Sequence, residues 1–235
     1  STQKVPKFNY TGIIRDPFAV SDTARVTKTY AGMDFENEAA SMLLTHKEKL
    51  ENMFLQGQRY EDTSGTEPKR ATRGIVNWTT TNVLNVGGAL TENVFDGYLR
   101  RVFQSGSKQK VLFNAPIVTS AINGWAKSNL RPYDPAKKKY GMNLTEYFNG
   151  HGTVLLANHK GMTNDDLNDF DDLAGTSICV DLNFVEMTHM KGRISVRKDN
   201  IQANDVDGRK DEYLSEAGLR VSLEKVHGKA TGITG

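Results

Sequence analysis

The chain has 235 residues, 37% hydrophobic and 25% charged, which is enough apolar content for a buried core in one large domain or two small interleaved ones. With 30 basic and 28 acidic residues the net charge is +2, which excludes the bulk attraction that a dedicated nucleic-acid or membrane-surface binder carries. No apolar run approaches the roughly 18 residues that cross a bilayer, and residues 1–10 lack the long apolar stretch of a secretory signal. The single cysteine, Cys179, cannot form an internal disulfide and sits in the apolar stretch SICVDLNFV, where a small buried residue fits. The expectation is a soluble protein folded inside a cell.

Residues 1–32 hold apolar or β-branched positions at Phe8, Tyr10, Ile13, Ile14, Phe18, Val20, Val26 and Tyr30 without a helical period, and Pro6, Pro17 and two glycines interrupt them. They read as an extended arm or hairpin limb with few partners in its own chain, because the strand that should pair with it would lie upstream of Ser1. Either the limb packs on a neighbour or the chain lacks its original N-terminus.

From Asp34 to Gln56 the spacing of Phe35, Ala39, Leu43, His46, Leu50, Met53 and Phe54 predicts an amphipathic helix. Asp34, Glu36 and Glu38 at its start, Lys47 and Lys49 later, and Gly57 as C-cap agree with the helix dipole. At 1.5 Å per residue it is a rod of roughly 35 Å. Residues 59–73 are polar, with Gly65 and Pro68, and read as an exposed loop. Its Lys69, Arg70 and Arg73 offer a contact to nucleic acid or to a neighbouring carboxylate, but a solvated loop is the favoured reading.

Farther on, Ile75–Thr81 reads as a strand, and Thr91 as the N-cap of a helix with Val94, Phe95, Leu99, Val102 and Phe103 on one face, ended by the turn Ser105, Gly106, Ser107. Lys110–Phe113 reads as a short apolar strand and Pro116 as the start of a helix through Ile117, Ala121, Ile122 and Trp125. Gly152–Ala157 and Ile178–Val185 are further strands, separated by an acidic loop at 164–172. Near the end Ile194 and Val196 share one face of a strand, and Leu219, Val221 and Leu223 share one face of another, as in half-buried strands.

A search for chemistry finds little. The loop with Asp165, Asp166, Asp169, Asp171 and Asp172 lacks the sixth-position glycine and the closing glutamate of a calcium-binding helix-loop-helix. Histidines 46, 151, 159, 189 and 227 form neither an i, i+4 pair nor a Cys/His spacing for zinc. No phosphate-cradling glycine loop, Gly-x-Ser-x-Gly elbow or activated cysteine setting occurs, so no catalytic residue, cofactor or metal is expected. Tyr133, Tyr140, Tyr147 and Phe148 near Lys137–Lys139 are read as exposed and offer stacking to single strands, though a protein contact or simple packing is the better reading.

The order of elements is then the informative feature: limb, long helix, α/β core, returning strands. The stretch FNYTGIIRDPFAVSDTARVTKTYAGMDFENEAASMLLTHKEKLENMFLQGQR resembles the extended-loop limb and spine helix of tailed-bacteriophage major capsid proteins with the Hong Kong 97-type capsid fold. Asn9, Tyr10, Val20, Ser21, Thr23, Gly32 and Glu51 stand at positions of that pattern, with weaker echoes in TRGIVNWTTTN, KVLFNAP, HGTVLLANHKGM and EAGLRVSLEKVHGKATGI. Members usually carry an arm and a first loop limb ahead of the point where this chain begins, so Ser1 reads as lying inside a longer product.

The resemblance implies an α+β fold with an extended loop, a spine helix, a peripheral domain and an axial domain. It divides the chain at 1–32 (extended-loop limb), 33–110 (spine helix and first part of the peripheral domain), 111–190 (axial domain) and 191–235 (returning peripheral strands). It implies a shell protein of the virion, assembled in the bacterial cytoplasm as hexamers and pentamers of itself. Decoration, portal or scaffold proteins, and double-stranded DNA held by weak non-specific contacts, are further partners; no membrane is. Ile13, Ile14, Phe18 and Val20 are expected to gain their stabilisation across subunit boundaries. An encapsulin-type compartment shell is the alternative within the same fold. An enzyme on the α/β core and a DNA-binding module are rivals from other classes.

Overall fold

A computed structural model describes residues 6–26, 34–125, 130–132, 145–159, 161–162 and 173–234. The acidic run at 164–172, Lys137–Lys139, Tyr133 and Tyr140 lie outside the described residues. The chain forms two compact units, Ser1–Ile75 with Met187–Arg220 and Val76–Glu186 with Val221–Gly235.

In the first unit, strand β1 (Gly12–Val20) alternates strictly: Gly12, Asp16 and Phe18 are buried, while Ile13, Arg15, Pro17 and Ala19 are exposed. Its partner is β12 (Arg209–Val221), antiparallel from Gly12 opposite Ala217 to Val20 opposite Arg209. This corrects the expectation that the pairing strand lies upstream of Ser1. The partner comes from the far end of the chain, a pairing that local periodicity does not register. β10 (Val185–His189) and β11 (Val196–Lys198) also pair with β12. A short helix α1 (Asp22–Val26) follows β1 and buries none of its side chains.

Helix α2 spans Asp34–Gln56, the predicted 23 residues. It lies on the even-numbered face of β1, where Phe18, Phe35, Ala39 and Tyr213 form a buried cluster backed by Val20, Met42 and Leu43. The Phe18 ring stacks on Tyr213 at 5.6 Å and meets Phe35 at 5.4 Å. Gly57 ends the helix for a reason other than left-handed backbone: a Cβ there would collide with the carbonyl oxygen of Met53 and sit 2.7 Å from that of Thr72. The segment 59–73, expected as a loop, is a hairpin of β2 (Tyr60–Asp62) and β3 (Lys69–Ala71), in which Glu61 faces Arg70 and Asp62 faces Lys69. Opposite charges directly across an antiparallel pair favour that register.

β12 departs from the half-buried pattern. Asp211 to Ser215 are buried in succession, so both faces of the strand are covered. Nor does Leu223 continue it: the strand ends at Val221, and Leu223 adopts a φ of 52° with its side chain 65% exposed.

The second unit holds a mixed sheet in the order β4 (Val83–Gly88), β13 (Gly228–Ile233), β9 (Ser177–Val180), β5 (Gln109–Asn114), β8 (Gly152–Asn158), β7 (Thr145–Asn149), β6 (Leu130–Pro132). Residues Ile75–Trp78, expected as a strand, form a helical turn, α3, and the strand starts only at Val83. β9 likewise stops at Val180, because the Asp181 side chain accepts the Asn183 N–H and caps a one-turn 3₁₀ segment, Leu182–Phe184. Helix α4 (Glu92–Val102) buries Phe95, Tyr98, Leu99 and Val102, and α5 (Pro116–Trp125) buries Val118 and Ile122. Thr91 stands at the N-cap position of α4 with no side-chain cap bond. Tyr147, expected at the surface, is buried against Phe95 and Trp125, while Phe148 is exposed, as alternation along β7 requires.

Candidate assembly surface

The four residues expected to reach a neighbour do not share one environment. Ile13 is 55% exposed on the outward face of β1, and Ile14 and Val20 are half-buried. Phe18, also expected to reach a neighbour, is 3% exposed and takes its burial from Phe35, Ala39 and Tyr213 of its own unit. The period-two geometry of β1 turns Phe18 onto α2 and Ile13 outward. Val20 also lines an open cleft of about 560 Å³ with Ala19, Ile201, Ala203, Val206 and Lys210.

Beneath the outward face, polar side chains hold β1 in place. Asp16 Oδ2 is 2.6 Å from His46 Nδ1, Asp16 Oδ1 is 2.5 Å from Lys49 Nζ, and His46 Nε2 is 2.7 Å from Ser215 Oγ. Burial works to raise the Asp16 carboxyl, but the hydrogen bonds from Lys49 and His46 outweigh it and hold the group below its usual range. Serine, imidazole and carboxylate in this order have the connectivity of a hydrolytic triad. Here all three are buried, and the Ser195 N–H donates to the Ser215 oxygen at 2.8 Å. What the arrangement does is tie β1, α2 and β12 together.

On the outward face Arg15 forks onto Glu212 at 2.8–3.0 Å. At the end of the sheet the buried Asp211 accepts from Arg197, Arg209 and the Asn200 N–H. Burial again opposes ionisation, and those donors nevertheless bring the carboxyl down to about 2.

Asn9, one of the residues carrying the family resemblance, is a pin between three segments. Its Nδ2 donates toward Thr72 Oγ1, the Arg73 carbonyl and the Leu219 carbonyl at 2.8–3.1 Å, and its Oδ1 accepts the Arg73 N–H at 2.8 Å.

Sequence reasoning missed a cluster beside this pin. Phe8 and Tyr10 meet edge to face at 5.6 Å, Arg59 lies over the Phe8 ring at 4.6 Å, and Arg70 over the Tyr10 ring at 5.2 Å. Glu61 accepts from both Tyr10 and Arg70. The signal that could have found it is the alternation of opposite charges between 60–62 and 69–71.

The second unit has its own buried polar group. Lys110 Nζ is sealed among the carbonyl oxygens of Val102, Ser105 and Val226 at 2.6–3.1 Å and lies 4.0 Å from Asp181. Asp181 also accepts the N–H and the hydroxyl of Ser107, each at 2.7 Å. Gly106, with φ +88°, lets that turn close over the carboxylate, since a Cβ would stand 2.6 Å from Asp181 Oδ2. Burial lowers the Lys110 ammonium and pushes the Cys179 thiol up to about 12, so Cys179 is an inert buried thiol at neutral pH. Burial and the nearby Lys110 charge bring His227 down to about 4. Among the described residues no group of three or more His, Cys, Asp or Glu side chains is placed to hold a metal ion, and no helix is long and apolar enough to cross a membrane.

A family model described as SU10 major capsid protein matches residues 1–234. The chain belongs to this family. It is a structural protein of a phage capsid, and its place is the virion shell. Solved structures carry the same α+β, Hong Kong 97-type capsid fold. Gordonia phage Cozz matches with a TM-score of 0.60 at 15% identity, over 100% of this chain and 76% of that one. The putative capsid protein of a prophage of E. coli CFT073 matches at 0.56 and 10% identity, over 95% and 77%. The holo-SrpI encapsulin complex of Synechococcus elongatus PCC 7942 matches at 0.65 and 10% identity, over 95% and 74%. Comparison with the curated proteins finds no match. For a family of capsid proteins the functional surface is one that meets other copies, and the exposed Ile13 stripe, the cleft at Val20 and the Phe8 cluster are the surfaces to weigh.

Proposed function

We propose that the protein assembles through hexamers and pentamers into a closed icosahedral shell around double-stranded DNA, in the cytoplasm of a bacterial host and without catalytic chemistry. The observation that carries this reading is the capsid-family match along residues 1–234. The unit Ser1–Ile75 with Met187–Arg220 serves as the peripheral domain, with α2 as its spine and residues 1–32 entering as the loop limb. The unit Val76–Glu186 with Val221–Gly235 serves as the axial domain, in place of the 111–190 that the resemblance implies, since 76–110 and 221–235 cluster with it and not with the first unit. Ile13, which is exposed, and the half-buried Ile14 and Val20 make cross-subunit contacts, because the apolar surface they leave open gains burial only from a neighbour. A net charge of +2 lets many copies pack without strong repulsion and leaves packaged DNA only weak, non-specific contacts. Decoration, portal or scaffold proteins are further partners of such a shell.

The fold likeness to an encapsulin, at a TM-score of 0.65, favours a second reading, a compartment shell with protein cargo. Negative-stain microscopy and content analysis of particles purified from the native source separate the two. Shells of uniform diameter holding nuclease-protected DNA support the phage capsid, and shells holding a single enzyme support the compartment. A protein that stays monomeric at all concentrations would sink both.

A further inference from the structure

Two unlike surfaces of the first unit have complementary chemistry. One is the aromatic and guanidinium cluster, in which Phe8 is 59% exposed. Its side chains are pre-set, with Arg59 over the Phe8 ring and donating to the Phe8 carbonyl at 3.2 Å, and Arg70 held by Glu61. Exposed, immobilised Phe and Arg side chains suit the anchors of protein interfaces, because they lose little rotamer freedom on docking. The other surface is the outward face of α2, where Asn37, Ala40, Leu44, Glu48 and Glu51 are all exposed at helical spacing. Leu44 at its centre is 64% exposed, with Ala40 one turn before it and the carboxylates of Glu48 and Glu51 on the turns after it.

We propose that the Phe8–Arg59 pair of this cluster in one copy docks on the outward α2 face of the next copy, with Leu44 against the Phe8 ring and Glu48 against Arg59. The proposal rests on the shell reading and adds a specific contact to it. Because the two surfaces differ, the contact is head to tail, the type that closes into rings when the rotation between copies allows. Cluster against cluster would oppose Arg59 and Arg70 with their own copies, which like-charge repulsion disfavours. Nucleic acid suits the cluster less well, since Glu61 already neutralises Arg70 and Asp62 faces Lys69.

Charge reversal and crosslinking on the full chain test this. Arg59→Glu should cut particle yield by about tenfold, and Glu48→Lys in the same chain should restore most of it. Both side chains are exposed and Arg59 gives up only its contacts with Phe8, so thermal unfolding of the unassembled subunit should fall by no more than about 2–4 °C. Phe8→p-benzoylphenylalanine, irradiated in assembled particles, should crosslink to residues 34–56 of another copy. Wild-type yield from Arg59→Glu, absence of rescue by Glu48→Lys, or a crosslink to DNA, another protein or another segment would each overturn the contact. If the wild-type chain itself forms no particles, the shell reading fails and takes this contact with it, whereas normal shells from Arg59→Glu remove the contact alone.

Discussion

Asn9 shows how much one polar side chain can hold. Asn9→Asp keeps the acceptor for the Arg73 N–H but removes the donor to Thr72, Arg73 and Leu219, and sets a carboxylate against two carbonyl oxygens. It should destabilise the subunit by about 2–3 kcal/mol, read as a lower urea midpoint, and Asn9→Ala should cost a similar amount through unmet partners. Phe18→Ala, which opens a cavity in the aromatic cluster, should cost about 3–5 kcal/mol in the unassembled subunit.

His227 sets a pH dependence. Its folded value of about 4 lies below the ordinary 6.5, so above pH 6.5 both states are neutral and nothing is lost. As pH falls toward 4 the unfolded chain takes up the proton first, and stability declines by roughly 3 kcal/mol. Asp211 acts lower: its contribution is complete above 3.8 and is lost as pH falls through about 2. His227→Asn keeps an acceptor for the Asp181 N–H and should flatten urea midpoints between pH 6.5 and 4. An unchanged slope would assign that window to other groups.

Among the elements, α2 was legible to its ends, since a 23-residue run with one apolar face has few alternatives. α5 was announced by Pro116 and β8 by its apolar run. Ile75–Trp78 was not, because β-branched and aromatic residues there predict a strand and the fold makes a helical turn of them. The hairpin of β2 and β3 was hidden by its polarity, being held by cross-strand charge and not by burial. Gly57 was read as a C-cap, yet what requires glycine is the close approach of the Met53 and Thr72 carbonyl oxygens. Gly57→Ala should therefore destabilise by about 1–3 kcal/mol, well beyond the tenths expected at an ordinary helix end, as thermal unfolding would show.

For the whole molecule, assembly and folding should separate. Ile13 is exposed and sits opposite Glu216 across the sheet, so Ile13→Lys adds a favourable cross-strand charge pair and should leave subunit unfolding within about 0.5 kcal/mol of wild type. Particle yield, measured by sedimentation, should nonetheless fall several-fold if this stripe is covered in the shell. Equal yield would remove Ile13 from the contact surface. Phe18→Ala gives the contrasting pattern, in which loss of particles follows loss of the folded subunit.

The order of elements and the wording of the first fifty residues were sufficient to place this chain among tailed-phage capsid proteins, because apolar period and turn chemistry are local properties that a linear sequence carries in full. Which apolar residues of the limb stay home was decided only in three dimensions. β1 closes on a strand from the other end of the chain, and that pairing turns Phe18 inward and Ile13 outward. The partners of His46, which its place on the apolar face of α2 did not name, and the burial of Lys110 and Asp181 were likewise invisible, since a charged or polar residue enters a core only where donors and acceptors from distant segments converge on it. The Phe8 cluster needed the same convergence at the surface, with rings from one segment and guanidinium groups from another meeting where the hairpin folds back beside Asn9.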